Sequence, residues 1–316
     1  MAESSEIHVI VGAGPVGAGL AGRLARDGHR VRVLTRTGRD LGLPGVESVA
    51  VDASDEGALT ADAKGATVLY NCANPGAYPL WEKRWPPLAA AILRAAEHSG
   101  AVLVTASNLY GYGPSDVPLT RRAPLRPSDH KGALRARMWE EARAMHEAGR
   151  VRATEVRASD YIGPTVPISN GLLPRYADST LRGKASVVFA DPDKPHTWTA
   201  IDDVVSTLVA VGSDERAWGS AWIVPSNRPA TVREVLQGLA AQVGAEAPRL
   251  RQAPRWLLRA GGSVIPMLRE VDGILYQFDA PFIADGSETT ETFGIAPAPW
   301  EPLLAETARA WSDRAR

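Results

Sequence analysis

Apolar positions in the first half of the chain form short runs separated by polar, helically spaced segments. IHVIV over 7–11 breaks into GAGPVGAG, after which LAGRLARDG continues with apolar residues at helical spacing. HRVRVLTR over 29–36 alternates and is rich in valine. Further strand-like runs follow as VESVAVD over 46–52, ATVLYNC over 66–72 and AVLVTAS over 101–107. Between the last two, WPPLAAAILRAAEHSG has prolines at its start and glycine at its end, the punctuation of a helix. Strands alternating with helices predict parallel βαβ units, and right-handed crossovers then predict a doubly wound α/β sheet of the Rossmann type.

RMWEEARAMHEAG predicts another helix and RVRATEVRAS, 150–159, another strand. Proline and glycine then increase and the alternation is lost. A strand-like HTWTAIDD over 196–203 leads into the helical VVSTLVAVG, and TVREVLQGLAAQVG predicts a later helix. The pattern predicts a nucleotide-binding Rossmann domain over 1–160 and a smaller, mainly substrate-binding lobe over 161–316. Segments near 196–212 are expected to return to the Rossmann domain.

Composition narrows the function classes. The 316 residues are 45% hydrophobic and 22% charged, with a formal net charge of −1. That balance gives no electrostatic case for a nucleic-acid or anionic-membrane partner. A single cysteine, Cys72, excludes an intrachain disulfide framework. The six histidines are scattered, none at the helical spacing of a metal motif, so no metal is expected. The polar start MAESSE and the lack of a long apolar span point to a cytoplasmic protein acting on a small molecule. Oligomeric state is open, a homodimer included.

VIVGAGPVG supplies Gly12, Gly14 and Gly17 as G-x-G-x-x-G between a predicted strand and a predicted helix. Gly12 permits the tight turn, Gly14 lets backbone approach a pyrophosphate, and Gly17 lets the helix pack on the strand. Pro15 and Val16 open that helix, whose N-terminus favours an anion. An NAD site usually has a carboxylate at the end of the second strand; here Thr35 and Arg36 stand there. Arg36, with Arg39 nearby, suits a 2′-phosphate, so NADP(H) is expected in preference to NAD(H). Asp52 is placed either at the adenine or as a turn cap. Asn71, Ala73 and Asn74, after the fourth strand, either line the cofactor path or cap the loop.

With the glycine loop, LVTASNLYGYGP, VRASDYIGP and HTWTAIDDVV in register, the chain resembles the extended or atypical short-chain dehydrogenase/reductase superfamily. More narrowly, it resembles the NAD-dependent epimerase/dehydratase group. The resemblance is clear over 7 to about 210. It implies a catalytic Ser or Thr at Ala106, and a catalytic tyrosine and lysine at Lys131 and Arg135. All three are replaced, and Val11 stands where the family loop has its first glycine. Neither Tyr110 nor Tyr112 has a lysine four residues on, and Tyr161 is followed at that distance by Thr165.

Lys131 and Arg135 are one helical turn apart and share a face. Arg135 is placed to bind the nicotinamide ribose, and Lys131 to donate a proton or stabilise negative charge. Asn108 and Tyr110 follow the fifth strand, and Asp160 and Tyr161 the sixth, where open α/β sheets bind ligands. Tyr110 and Asp160 join Lys131 as candidate catalytic groups. Asn108, Tyr161, His196 and Trp198 are candidate substrate contacts, with core packing the competing role for the last two. Trp81, Trp85, Trp218 and Trp222 suit either a substrate wall or the core.

Without a tyrosine acid, the sequence leads first to an NADP(H)-dependent reductase of a small organic metabolite with a non-standard site. A sugar-nucleotide epimerase or dehydratase is the second reading, and a non-catalytic NADP-binding sensor or scaffold the third.

Overall fold

The computed structural model describes residues 6–169 and 171–315. In chain order the first part runs β1 (Ile7–Val11), α1 (Pro15–Arg26), β2 (Arg30–Thr35), β3 (Val46–Ala50), α2 (Glu56–Asp62), β4 (Ala66–Asn71), α3 (Trp81–Ser99), β5 (Val102–Asn108), α4 (His130–Glu147) and β6 (Arg152–Ala158). There follow β7 (Asp160–Ile162), α5 (Leu172–Leu181), β8 (Ser186–Val188), β9 (Trp198–Ala200), α6 (Ile201–Ser213), β10 (Ala221–Ile223) and α7 (Val232–Gln242).

The chain divides into two compact units: 1–111, 130–157 and 204–222 in the first, and 112–129, 158–203 and 223–316 in the second. The sequence drew a boundary near 160, with a return near 196–212; the first unit takes back 204–222, and 112–129 already belongs to the second.

The first unit holds a seven-stranded sheet in the order β10-β6-β5-β4-β1-β2-β3. Its parallel pairings fix Val11 beside Leu34 on one side and Asn71 on the other. The strand order reverses at β1 and β4, the switch point where doubly wound sheets bind nucleotides beyond the strand ends. Val9, Leu34, Leu69 and Leu103 pack with Ile92, Ala95 and Ala96 in one buried cluster. The second unit contains two short parallel pairs, β7 with β9 and β8 with Leu250–Gln252.

Two helices are longer than the sequence pattern indicates. α3 begins at Trp81 and carries Pro86 and Pro87 inside it, although proline marks its expected start. Burial of Trp81 and Trp85 against Leu134 holds the extra turn. α4 begins at His130, so Lys131 and Arg135 lie on regular helix. Conversely, the strand expected over 196–203 is short, because α6 starts at Ile201.

Candidate active site

Tight packing explains two glycines of the nucleotide loop, Gly12 and Gly17. Gly12 has φ +101°, and a Cβ there would lie 2.7 Å from the Cys72 carbonyl oxygen and 3.0 Å from Ala73 Cα. Its N–H donates to the Leu34 carbonyl at 2.9 Å, tying the turn to β2. A Cβ at Gly17 would meet the Gly12 oxygen at 2.1 Å, so α1 packs against the turn itself. Gly14 is different. It caps α1, and a Cβ there would meet nothing within 4 Å. Pro15 occupies the first turn, where its missing N–H is least costly, and Val16 is buried beneath. The loop therefore has a close-packed base, an open Gly14 edge and a helix N-terminus, the physical requirements for a dinucleotide pyrophosphate.

The neighbouring loops are mostly self-capped. Asn71 is buried and its Oδ1 accepts from the Ala73 N–H at 3.2 Å, while Asn74 accepts from the Gly76 N–H. Asp52 accepts from both the Ser54 N–H and hydroxyl, which hold its carboxyl below the usual carboxylate range. Arg36 is a smaller contributor to that shift and is exposed. Thr35 gives its carbonyl to the Val51 and Gly38 N–H groups, closing the turn that presents Arg36. Of the two roles open to Asn71 and Asp52, the structure therefore supplies partners for capping.

Facing β5, α4 presents a buried cationic pair. Lys131 is 1% exposed and Arg135 5% exposed. The Arg135 guanidinium donates to the Ala106 carbonyl at 2.9 Å and lies 4.8 Å from the Trp85 ring centre. The Lys131 ammonium sits 5.5 Å from the centre of the Tyr78 ring. The Tyr78 hydroxyl is in turn 2.8 Å from that of Tyr110, whose ring stacks on Trp81. Asn108 accepts from the Tyr110 N–H, fixing the turn that carries this phenol. Lys131, Arg135, Tyr110 and Asn108 thus lie near one another in the first unit. Tyr78 is a member that the sequence reading missed; it follows a loop, and no spacing links it to α4. Trp81 and Trp85 are buried under α4, which favours their packing role.

In the second unit, β7 pairs with β9 so that Asp160 stands opposite Trp198 and Tyr161 opposite Thr199. His196 and Trp198 were candidate substrate contacts, yet they are 0% and 2% exposed. Apolar packing prevails: the His196 ring stacks on Phe278 at 4.5 Å, and the Trp198 indole N–H donates to the Ala230 carbonyl at 2.8 Å. His196 nevertheless reaches a candidate group, its Nε2 lying 3.0 Å from Asp160 Oδ2 and 3.3 Å from Ser159 Oγ. Its Nδ1 lies 3.0 Å from the Gln277 carbonyl, which can only accept. The His196 ring thus ties the partly exposed Asp160 to the buried stack of the second unit.

Comparison with known proteins places the fold. The model of the NAD dependent epimerase/dehydratase family matches residues 8–220. The chain belongs to that family. No curated protein matches it closely enough to count as a relative. Among solved structures it is similar to MoeE5 in complex with UDP-glucuronic acid and NAD, with a TM-score of 0.79, 20% identity, and coverage of 98% of this chain and 100% of that one. It is also similar to a double mutant of DesIV, the dTDP-glucose 4,6-dehydratase from Streptomyces venezuelae with NAD bound: TM-score 0.78, 20% identity, and 98% and 100% coverage. A third is the UDP-glucose 4-epimerase of Thermotoga maritima with UDP-glucose, at TM-score 0.79, 15% identity, and 98% and 100% coverage. At these identities the structures establish the shared fold.

The family assignment corrects the first functional reading of the sequence. A small-metabolite reductase was inferred from the missing tyrosine acid. The family model instead matches an epimerase/dehydratase across both the glycine loop and the substituted helix. The absence of one side chain did not outweigh the pattern around it. No helix among the described residues is long and apolar enough to cross a membrane.

Proposed function

We propose that the chain is a nicotinamide-dependent enzyme of the epimerase/dehydratase type acting on a sugar nucleotide, with Lys131 in place of the family's tyrosine. The observation that carries this reading is the buried Lys131–Arg135 pair on α4, beside the bonded phenols of Tyr78 and Tyr110, within the segment matched by the family model. Two cations are seldom buried together without a function that uses their charge. The solved structures that share the fold hold UDP-glucuronic acid or UDP-glucose, which supports a sugar nucleotide as the substrate class.

The glycine loop fits a dinucleotide, with Gly12, Gly14, Pro15, Val16 and Gly17 at its pyrophosphate and Arg135 toward its ribose. Those residues would hold a nicotinamide dinucleotide, which when bound would supply reversible hydride transfer at a sugar carbinol. The protein's task is then to manage the carbinol proton and the charge on oxygen. Lys131 places an ammonium in a water-poor setting, where it stabilises an alkoxide or donates to it. Tyr110, bonded to Tyr78, offers a phenol for proton transfer. Asp160, 3.0 Å from His196, is the carboxyl assigned to the chemistry, and Asn108 and Tyr161 are the polar contacts assigned to substrate. Arg36 and Thr35, with no acid at the end of β2, favour a 2′-phosphate and so NADP(H).

Mixtures of UDP- and dTDP-hexoses incubated with the protein and either cofactor provide the test, with products followed by mass spectrometry and NMR. Conversion of one sugar nucleotide to an epimer or a 4-keto-6-deoxy product is expected. Saturable cofactor binding with no sugar-nucleotide binding or turnover would overturn the reading and favour a cofactor-binding scaffold.

A further inference from the structure

At the N-terminal ends of β1 and β2, opposite the glycine loop, the sheet gathers three groups that the proposed reaction does not use. Glu6 and His8 are two residues apart on an extended segment, so their side chains share a face. The Arg30 N–H donates to the Glu6 carbonyl at 3.1 Å, and the β1–β2 register sets Ile7 beside Arg30. That register delivers His29 to the same face, and the His8 and His29 rings lie 4.5 Å apart. Glu6 Oε2 is 3.5 Å from His8 Nε2 and 3.9 Å from His29 Nδ1, and the three donor atoms fall within 4.8 Å of one another.

His8 is the residue that needs explaining. It is 4% exposed, it stacks on Tyr70, and neither ring nitrogen has a hydrogen-bond partner. A buried polar atom left unbonded costs about 1–3 kcal/mol, so a strand position with an aliphatic option has no stability reason to carry histidine.

We propose that Glu6, His8 and His29 form a binding site for a zinc-class divalent cation at the N-terminal edge of the sheet. Zinc bonds of about 2.0–2.1 Å to nitrogen and oxygen in tetrahedral geometry separate neighbouring ligand atoms by roughly 3.4 Å. The Glu6 contacts of 3.5 and 3.9 Å are close to that spacing, and small rotations of the half-exposed His29 and Glu6 side chains close the rest. Two imidazoles and one carboxylate suit zinc rather than magnesium or calcium, which favour oxygen ligands. Three protein ligands leave the remaining position to water. Sequence spacing hides such a site, because strand pairing rather than a helical repeat brings His29 to His8.

The test is a zinc titration of the tag-free, full chain after chelator treatment, using competition with a chromogenic chelator. Cobalt(II) serves as the spectroscopic probe and magnesium as the control. One equivalent of zinc is expected to bind at micromolar or lower concentration, with intense visible cobalt bands of low coordination number. His29→Ala and Glu6→Gln lie at the half-exposed rim and should keep the metal-free fold, judged by circular dichroism. Each should weaken zinc at least tenfold and bleach the cobalt bands. No one-equivalent binding by the parent, or unchanged affinity in both variants, would overturn the site.

Discussion

The Arg135 guanidinium donates to the Ala106 main-chain carbonyl at 2.9 Å. These are the two positions at which the resemblance to the short-chain dehydrogenases implies a catalytic lysine and a catalytic Ser or Thr. The contact ties α4 to β5 through backbone, and so needs no side chain at Ala106. Arg135 cannot lose its charge, and its planar fork also covers the Trp85 face. It is suited to positioning, whereas Lys131 on the preceding turn is suited to chemistry. Arg135→Met is expected mainly to weaken cofactor binding, and Lys131→Met mainly to slow turnover, by about 10²–10⁴-fold. Cofactor affinity by fluorescence and single-turnover rates with the sugar nucleotide separate the two effects. Parent-like turnover in Lys131→Met would remove the lysine from the chemistry.

Gly17→Ala tests the cradle. The added methyl would lie 2.1 Å from the Gly12 oxygen, a backbone atom already held through the Gly12 N–H to Leu34. α1 must shift outward, so lower thermal stability and a large loss of cofactor affinity are expected together. Gly14→Ala is the contrast, because its methyl meets no protein atom within 4 Å. It should fold with parent stability yet bind cofactor more weakly, since backbone approach to the pyrophosphate is what that glycine permits. Calorimetric melting and a cofactor titration on both variants check this. Parent affinity in Gly14→Ala would place the pyrophosphate elsewhere.

Local pattern carried the sheet and the glycine loop into view, because strands β1 to β6 and their punctuation depend on neighbours in sequence. The roles of Gly12 and Gly17 were legible for the same reason. Tyr78 was not, since it meets Tyr110 only through the pairing of β4 with β5 and the start of α3 at Trp81. His196 and Trp198 look like pocket residues from their polar tips, yet stacking on Phe278 and a bond to Ala230 bury them. The reductase reading failed by a different route. It weighted the missing tyrosine acid above the surrounding frame that the family model recognises over residues 8–220.

The proposed preference for NADP(H) rests on Arg36. The end of β2 carries Thr35 and Arg36 with no carboxylate of its own, and Asp52 lies close enough to Arg36 for its titration to sense the charge. Charge-assisted bonds to a 2′-phosphate contribute about 1.5–3 kcal/mol, which corresponds to roughly tenfold or more in favour of NADPH over NADH. Arg36→Ala is expected to abolish that ratio while leaving NADH affinity near the parent value. Equal affinities of the parent for the two cofactors, measured at fixed ionic strength, or a ratio unchanged in Arg36→Ala, would refute the assignment.

Asp203 predicts a pH dependence of stability. Its side chain is 4% exposed, Oδ1 accepts from the Ala298 N–H at 2.9 Å, and burial pushes the carboxyl up to about 6. The sign follows from proton uptake. Between the ordinary value of 3.8 and about 6, the folded chain binds this proton and the unfolded chain does not. The stability contributed by the protonated carboxyl is therefore complete below 3.8 and lost as pH rises through 6. Each pKa unit corresponds to about 1.4 kcal/mol, giving a cost of roughly 3 kcal/mol above pH 6. Asp203→Asn keeps an acceptor for Ala298 and removes the ionisation. Urea melts from pH 4 to pH 8 should show the variant gaining on the parent by that order as pH rises through this range. A gap between parent and variant that does not change with pH would mean that Asp203 is ionised in the fold throughout.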